Sequence, residues 1–258
     1  MDSKTKKVGK QMLMEPEQTR AMEFEDQMKT LPKVVEDWLK KVGVTEGNRI
    51  RSVKFMQTGE MRLKAEQSKP FQPKAKQLTR VDEPAYLWEV NLAVIPLIDM
   101  KGRDLFYQGI GAMEMRLGSV IPVVNERDKE KLNESSLHRF LLEIPWYPTA
   151  ALEEYMTWKA RDDHSAEGTI HWNGMKAKGT FFFDDKGFLE KIETLRYKES
   201  DLKAERIPCI GTFGDYQFVQ GLKIPYQADV TWHLKGKDFT WYKIRNYDMA
   251  FSFFSSLS

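Results

Sequence analysis

Two short segments of the chain contain histidine, arginine and acidic residues that could take part in acid–base chemistry. His138, Arg139 and Glu143 belong to one short segment, and Asp104 follows Arg103 in an earlier one. Imidazole and carboxylate groups commonly transfer protons in hydrolases. One hypothesis is therefore a hydrolase-type enzyme that uses Glu143, His138 and Asp104 as acid or base.

Sequence signatures of established catalytic, metal and cofactor sites are missing. The histidines do not form the i, i+4 pair of a helical zinc site, and no P-loop or G-x-S-x-G motif is present. Residues 109–111 read Gly-Ile-Gly inside a strand pattern rather than at a strand–helix junction, which argues against a dinucleotide site. The one cysteine, Cys209, lies in a predicted loop after Pro208 and rules out an internal disulfide. We expect no cofactor, no metal and no assigned catalytic residue.

Arg103 is a candidate for holding the polar group of a ligand, because a guanidinium binds carboxylate or phosphate through two parallel hydrogen bonds. It lies in the sequence Gly-Arg-Asp, where a turn enters a strand, and strand alternation places Tyr107 on the same face. The alternative is a solvated surface pair of Arg103 and Asp104, since most loop charges are exposed.

Arg139 and Glu143 form a second polar candidate. They are four residues apart in a predicted helix, so an intrahelical ion pair worth about 0.3–0.5 kcal/mol is the simpler interpretation. In the functional interpretation, both side chains lie at the mouth of a cavity next to Trp146.

An N-terminal helix is predicted from apolar residues at three- to four-residue spacing over residues 31–39. Thr30 is its expected N-cap and Gly43 its expected stop. The preceding residues, 1–30, are expected to be helical or frayed.

A second helical region interrupts the strands in the middle of the chain. One helix is predicted to begin at residue 135 or 136 and to end before Pro145. A further short helix is predicted from about residue 148 to 156.

Most of the remaining chain alternates apolar and polar residues, which predicts β-strands. A long strand is predicted over residues 51–65, with Gly59 marking a bulge or a bend that curves the sheet. Further strands are predicted over residues 86–94 and 105–117, the latter interrupted by glycines.

Turn residues divide the C-terminal half into hairpins. Asn173-Gly174 between two alternating segments is the strongest short-range hairpin signal in the sequence. Residues 184–187 predict the next turn, residues 207–214 a loop, and residues 235–238 the turn of the last hairpin.

These elements predict an α+β fold, in which a large curved antiparallel sheet, a half-barrel or an open barrel, has helices packed on one side. Residues 31–258 are expected to form one domain, with the N-terminal helix and a helical insertion at about 135–157.

A curved sheet must fill its concave face with side chains, a helix or a ligand. Methionine and aromatic residues suit an irregular apolar cavity, although the same residues could simply form the core. The residues predicted to bind a ligand are Trp88, Arg103, Asp104, Tyr107, Met113, Arg139, Glu143, Trp146, Trp158 and Trp232. We favour binding of a lipophilic or amphipathic small molecule. The alternatives are the hydrolase above and a structural module whose own side chains fill the cavity.

Composition excludes several classes of protein. The chain has 258 residues, 41% of them hydrophobic and 30% charged, as is typical of a soluble globular protein. A net charge of +2 gives no reason to expect a nucleic-acid partner, and no apolar run approaches the roughly 18–20 residues of a membrane span. No signal peptide is visible, so we expect a cytoplasmic location; a chain already cleaved after its signal peptide would look the same. The oligomeric state is not indicated.

Several short motifs are spread over nearly the whole chain. They include Leu31-Pro32 with Trp38 and Gly43, Gln57-x-Gly-x-Met-Arg62, Leu137-x-Arg-x-Leu-x-Glu143, Gly179-x-Phe-x-Phe183, Arg196-Tyr197 and Asp238-Phe239-x-Trp241. As a set, from about Leu31 to Asp248, they resemble a bacterial and archaeal domain family of unknown function. That resemblance implies no established chemistry, cofactor or site residue. More loosely, the sheet pattern resembles the half-barrel of lipoprotein-carrier proteins, in which a curved sheet holds acyl chains beneath helices.

Overall fold

The structure is a computed structural model that describes residues 3–14, 23–95, 98–118 and 120–254. The predicted segment 1–30 is therefore covered only in part, because residues 1–2 and 15–22 lie outside the described residues. The helices are α1 (Ser3–Met14), α2 (Phe24–Thr30), α3 (Lys33–Lys41) and α4 (Glu130–Leu142), with 3-10 turns at Glu46–Asn48, Ile144–Trp146 and Pro148–Leu152.

The first six strands precede α4 in the chain. They are β1 (Ile50–Met61), β2 (Pro73–Arg80), β3 (Ala85–Ile95), β4 (Ile98–Tyr107), β5 (Ile110–Leu117) and β6 (Ile121–Arg127). The remaining strands follow α4. They are β7 (Met156–Asp162), β8 (Ser165–Trp172), β9 (Met175–Phe183), β10 (Leu189–Tyr197), β11 (Arg206–Val219), β12 (Leu222–Leu234) and β13 (Lys237–Phe253).

All thirteen of these strands form one antiparallel sheet in the order β6-β5-β4-β3-β2-β1-β13-β12-β11-β10-β9-β8-β7. Within β1–β6 and within β7–β13, each strand pairs with its neighbours in the chain. The two groups join at the centre of the sheet, where β1 pairs with β13 from Ile50↔Phe253 to Met61↔Tyr242. Strands β6 and β7 are thus the two edges. The segment that contains α4 runs from one edge to the other.

The sheet curves around α4. This helix contacts β4 and β5 in one half of the sheet and β9 and β10 in the other, which requires the two halves to wrap towards each other. The result is an open half-barrel with a helix in its concave side, and the predicted α+β fold class is confirmed.

The core lies on the concave face, where α3, α4 and the 3-10 turns bury large aromatic side chains. Trp38 of α3 packs against Phe183 with ring centroids 5.9 Å apart, and Trp146 packs edge-on against Phe55 at 5.3 Å. Each of these buried side chains contributes about 1.5–3 kcal/mol by leaving water. These helical segments are therefore packed into the same core as the sheet.

Helix α1 packs on the opposite, convex face. Its Met12 is buried with Leu87 and Leu105, and Tyr107 is packed against the same cluster. Leu87 and Leu105 are direct cross-strand partners, so one side of the β3–β4 hairpin supports α1 while the other faces the core.

Several helix boundaries differ from the predicted ones. Thr30 ends α2, with its hydroxyl donating to the Gln27 carbonyl at 2.7 Å, and it is not the N-cap of α3. Gly43 does stop α3, with a φ of +85°. Helix α4 begins at Glu130, five residues before the predicted start, without a side-chain cap. Of the predicted short helix, residues 148–152 form a 3-10 turn and Met156 begins a strand.

Strand β1 ends at Met61, earlier than predicted, and Leu63 is 38% exposed. Gly59 is not a bulge, because it pairs in register with Ile244. The register shift in this region lies between Lys54 and Met56 instead. Gly59 has a φ of +142°, and a Cβ there would lie 1.9 Å from the Lys243 carbonyl oxygen, so close backbone approach explains the glycine.

Two segments were assigned to the wrong element. Residues 105–117 form a hairpin with Gly109 in its turn at a φ of +79°, rather than one glycine-interrupted strand. Residues 207–214 belong to strand β11 rather than to a loop, so Cys209 lies in a strand. The last hairpin turns at Lys235-Gly236, and its strands are longer than predicted. The Asn173-Gly174 hairpin is confirmed.

Candidate ligand-binding cavity

A cavity of about 350 Å³ lies between α4 and the concave face of the sheet. One face of α4 covers it through side chains spaced three and four residues apart, namely Leu132, Ser135, Ser136, Arg139, Leu142 and Glu143. The apolar part of the sheet lining includes Trp88, Met113, Val124, Phe213, Ala228, Val230, Trp232, Phe239, Trp241 and Ile244. Both halves of the half-barrel contribute, so the cavity exists only in the folded sheet.

Arg139 forms the centre of the polar floor of the cavity. Its Nη1 donates to Asp104 Oδ2 at 2.5 Å and its Nε donates to Glu143 Oε1 at 2.8 Å. Its Nη2 donates to Gln77 Oε1 at 3.0 Å, and the Gln77 amide donates in turn to Glu143 Oε2 at 2.5 Å. The side chain of Arg139 is 17% exposed. All three guanidinium nitrogens are therefore used within the protein.

Two aromatic rings hold the guanidinium of Arg139 in place. Its central carbon lies 4.6 Å from the Tyr86 ring centroid and 5.1 Å from that of Trp88. Burial alone would lower the pKa of Arg139, but the carboxylates of Glu143 and Asp104 raise it well above its ordinary value. The cation is thus permanent, and the floor is an ordered ion cluster.

Cross-strand register explains why these groups meet. Gln77, Trp88, Asp104 and Met113 are successive cross-strand partners on β2, β3, β4 and β5. They form one row across the concave face, and α4 lays Arg139 against that row.

Buried donors in the cavity wall have no partner among the described residues. They are the Tyr242 hydroxyl and the indole nitrogens of Trp146 and Trp241. Burial raises the pKa of the Tyr242 hydroxyl well above its ordinary value. The nearby Arg139 cation opposes this increase, and Glu143 adds a smaller increase of its own. These three groups therefore offer hydrogen bonds rather than negative charge on this side of the cavity.

Arg196 of β10 lies on the opposite wall from the ion cluster and has different partners. Its Nε and Nη2 donate to the Ser135 hydroxyl oxygen at 3.2 and 2.9 Å. The guanidinium lies over the Trp232 ring at 5.2 Å. Among the described residues, no carboxylate comes within 4.0 Å of it, in contrast to Arg139.

The mouth of the cavity is charged and is bordered by the connection between β10 and β11. Lys131 donates to the carbonyl oxygens of Asp201, Leu202 and Ala204 at 2.8–3.1 Å. Ser200 donates to Glu126 of β6. This connection is therefore tied to both α4 and an edge strand.

Seven of the ten residues predicted to bind a ligand line the cavity. They are Trp88, Asp104, Met113, Arg139, Glu143, Trp146 and Trp232. Their roles towards a ligand stay a prediction.

The other three residues do not reach the cavity. Arg103 lies on the convex face because Asp104 next to it points inwards, and it pairs with Glu114 at 2.7 Å. Tyr107 packs under α1 on the same convex side. Trp158 lies beyond the cavity, against Phe181 at 4.8 Å, with its indole nitrogen donating to the Ala151 carbonyl.

His138 is also separate from the ion cluster, so the structure does not bring the predicted acid–base trio together. Its Nδ1 contacts the Glu134 carbonyl oxygen at 3.0 Å, and its Nε2 accepts from the Lys178 backbone N–H at 3.4 Å. Burial lowers its pKa to about 4. His138 is therefore a neutral packing residue on the side of α4 that faces β9.

The sequence interpretation missed Gln77, Tyr242 and Arg196. Alternation along β2 and β13 could have identified the first two as inward-facing. Arg196 belongs to the short motif Arg196-Tyr197. Its contact with Ser135 could not be predicted from local patterns, because the two residues are 61 positions apart in the chain.

The fold and the site define a class: an α+β half-barrel with a helix-covered, ligand-sized, largely apolar cavity. The chain belongs to the family of unknown function DUF6920, whose sequence profile matches residues 29–251. This confirms the resemblance to a domain family of unknown function.

Other comparisons add little to this assignment. No curated protein matches the chain significantly. Among solved structures, a crystal structure of a LolA superfamily protein from Nitrosomonas europaea is similar to it with a TM-score of 0.43 and 10% sequence identity, over 84% of this chain and 93% of that one.

No helix in the described part of the chain combines the length and apolar character needed to cross a membrane. In the same residues, His, Cys, Asp and Glu side chains do not gather in groups of three or more that could hold a metal ion.

Proposed function

We propose that this protein binds an apolar or amphipathic small molecule in the cavity beneath α4. The observation that carries the proposal is the cavity itself: about 350 Å³ of space, mainly apolar in its lining, that the protein's own side chains leave unfilled. Ligand pockets usually span roughly 300–1,000 Å³ and combine apolar walls with a few polar groups.

The lining supports an apolar ligand energetically. Burial of apolar surface contributes about 25 cal/mol per Å², and the walls carry four tryptophans, Trp88, Trp146, Trp232 and Trp241, together with Met113. The flexible Met113 side chain adapts to irregular shapes. A ligand of modest size would therefore gain most of its affinity from the apolar lining.

The hydrolase hypothesis receives less support. Asp104 and Glu143 both accept hydrogen bonds from Arg139, and His138 faces a different part of the fold. A general acid or base must reach its substrate by a hydrogen bond, and these three groups do not converge on one point.

The structural-module hypothesis predicts a core filled by side chains. The unfilled volume beneath α4 and the unpartnered donors of Trp146, Trp241 and Tyr242 argue against it, since native cores are close-packed and satisfy their polar groups.

Native mass spectrometry of gently purified protein tests the proposal, together with titration of the neutral apolar fluorophore N-phenyl-1-naphthylamine. We expect a co-purified small molecule or saturable fluorophore binding that changes tryptophan fluorescence. Ala228→Leu, which fills cavity space, should weaken fluorophore binding about tenfold, roughly the effect of 1.4 kcal/mol.

Ala160→Leu on β7 is the matched control, because Ala160 is exposed and lies outside the cavity. It should bind like the wild type. An empty protein that does not bind the fluorophore, or equal binding by both variants when both are folded, would overturn the proposal.

A further inference from the structure

Some charged side chains that line the cavity form ion pairs, and others have no partner of opposite charge in the part of the chain that the structure describes. Asp104 and Glu143 are bound by Arg139, Glu126 by Lys129, and Glu199 by Lys198. The remaining lining cations without a carboxylate within 4.0 Å, among the described residues, are Arg62, Lys131 and Arg196. The remaining anion is Asp229. The lining contains equal numbers of cationic and carboxylate side chains, so its positive charge is local to the cations that have no carboxylate partner.

Of these three cations, Arg196 is the one that is held by a serine hydroxyl and a tryptophan ring. Lys131 donates to three backbone carbonyls at the mouth, and Arg62 lies after the end of β1 near the exposed Leu63. Arg196 is half-buried inside the sheet, stacked on Trp232, and fixed from one side by the Ser135 hydroxyl.

The hydrogen bonding of Arg196 leaves donors available. A guanidinium has five N–H donors, and in Arg196 the Nε and Nη2 donors share the single Ser135 oxygen. The only other polar side chain in hydrogen-bond contact with it, among the described residues, is the buried Cys209 thiol, which is a weak acceptor. Ser135 itself donates to the Tyr197 carbonyl at 2.6 Å, so it can only accept from Arg196. This arrangement orients the guanidinium and keeps its charge uncompensated.

We propose that Arg196 binds the anionic head group of a single-chain amphiphile whose chain occupies the cavity. This inference rests on the proposed function and specifies its ligand class. A volume of about 350 Å³ lies at the low end of the roughly 300–1,000 Å³ of ligand pockets, which favours one chain over several. The head group is a carboxylate or a phosphate monoester, since both accept paired hydrogen bonds from a guanidinium.

The Arg139 cluster does not compete for this head group. Its three guanidinium nitrogens already donate to Asp104, Glu143 and Gln77, and two carboxylates around one cation leave a net negative charge there. An anion is repelled by that floor and attracted to Arg196, so the ligand has one orientation.

Isothermal titration calorimetry with three ten-carbon ligands, decanoate, decyl phosphate and decanol, tests the inference on the wild-type protein. We expect at least one of the anions to bind about tenfold to hundredfold more tightly than decanol, the range for charge-assisted hydrogen bonds. A preference for decanoate would indicate a fatty-acid-like ligand, and a preference for decyl phosphate would indicate a phosphate monoester.

The variant Arg196→Gln should lose this preference while it retains decanol affinity within about twofold. Arg196→Lys, which keeps the charge without the paired donors, should fall between the two. The control is Arg245→Gln, an exposed arginine outside the cavity, which should bind like the wild type.

The outcomes separate the two proposals. If decanol binds the wild type as tightly as both anions do, the head-group inference is wrong and the proposed function stands. If none of the three ligands and no apolar fluorophore binds, the proposed function itself fails. The wild-type comparison is decisive even if an Arg196 variant does not fold.

Discussion

Arg139 Nη1 donates to Asp104 Oδ2 at 2.5 Å and thereby joins the central helix to β4, in the N-terminal half of the sheet. The two residues are 35 positions apart in the chain. The same guanidinium also binds Glu143 of its own helix terminus and Gln77 of β2. One side chain therefore fixes how α4 lies over the cavity floor.

Arg139→Gln should destabilise the fold strongly, because it leaves Asp104 and Glu143 buried together without a cation. Removing one partner of a buried ion pair costs about 3–5 kcal/mol. Urea unfolding followed by circular dichroism measures this loss. The control Lys40→Gln removes an exposed i, i+4 pair with Glu36 and should cost about 0.3–0.5 kcal/mol. Similar losses in the two variants would contradict the assigned role of Arg139.

Gly59→Ala should weaken the β1–β13 junction at the centre of the sheet. The new Cβ would lie 1.9 Å from the Lys243 carbonyl oxygen, in a backbone conformation with φ of +142°. Strained backbone conformations alone cost about 1–3 kcal/mol, and relief of the overlap adds to this cost. Thermal unfolding should show a clear decrease in Tm.

Gly214→Ala in β11 is the matched comparison for Gly59→Ala. Nothing lies within 4 Å of a Cβ at that position, so its effect should stay within about 0.5 kcal/mol. A Gly59→Ala protein as stable as the Gly214→Ala protein would show that the two strands separate easily at the centre of the sheet.

His138 should make stability depend on pH below neutrality. Burial lowers its pKa in the folded state from about 6.5 to about 4. Between these values the unfolded chain holds the proton and the folded protein does not, so stability is lost as pH falls through this window, by at most about 1.4 kcal/mol per pH unit.

Urea unfolding at pH 7, 5.5 and 4.5 tests this dependence. His138→Gln, which retains an acceptor for the Lys178 backbone N–H, should show a shallower loss of stability than the wild type. His164→Gln, at an exposed turn, should follow the wild-type curve. Parallel curves for all three proteins would mean that His138 is already protonated or solvated in the folded state.

Cys209 should be inert towards thiol reagents in the folded protein. Burial raises its pKa to about 11, against the lowering effect of neighbouring Arg196, and the residue is 0% exposed. Only about one thiol in a thousand is then ionised at pH 8, and the thiolate is the reactive form. Labelling with iodoacetamide should be slow in buffer and fast in urea; fast labelling in buffer would show that the cavity wall opens readily.

Local sequence signals predicted most of the sheet. Alternation placed strands along β1, β3 and β8–β10, and the Asn-Gly dipeptide fixed the β8–β9 hairpin, because both signals depend on neighbours in the chain. Pro208 and the glycines after it indicated a loop, yet β11 continues through them because it pairs with β10 and β12 on both sides. Long-range pairing overrode local propensity there.

The sequence by itself determined which side chains share a face, because alternation along a strand is a local property. Only the tertiary structure decided which face is concave. Arg103 and Asp104 are adjacent in the chain, and the curvature of the sheet sends Asp104 to the cavity and Arg103 to the convex surface. In the same way, Arg139 and Arg196 are chemically identical in the sequence. Folding surrounds the first with carboxylates and leaves the second facing the cavity without one, since Asp104 reaches Arg139, and Ser135 reaches Arg196, only when distant segments of the chain pack together.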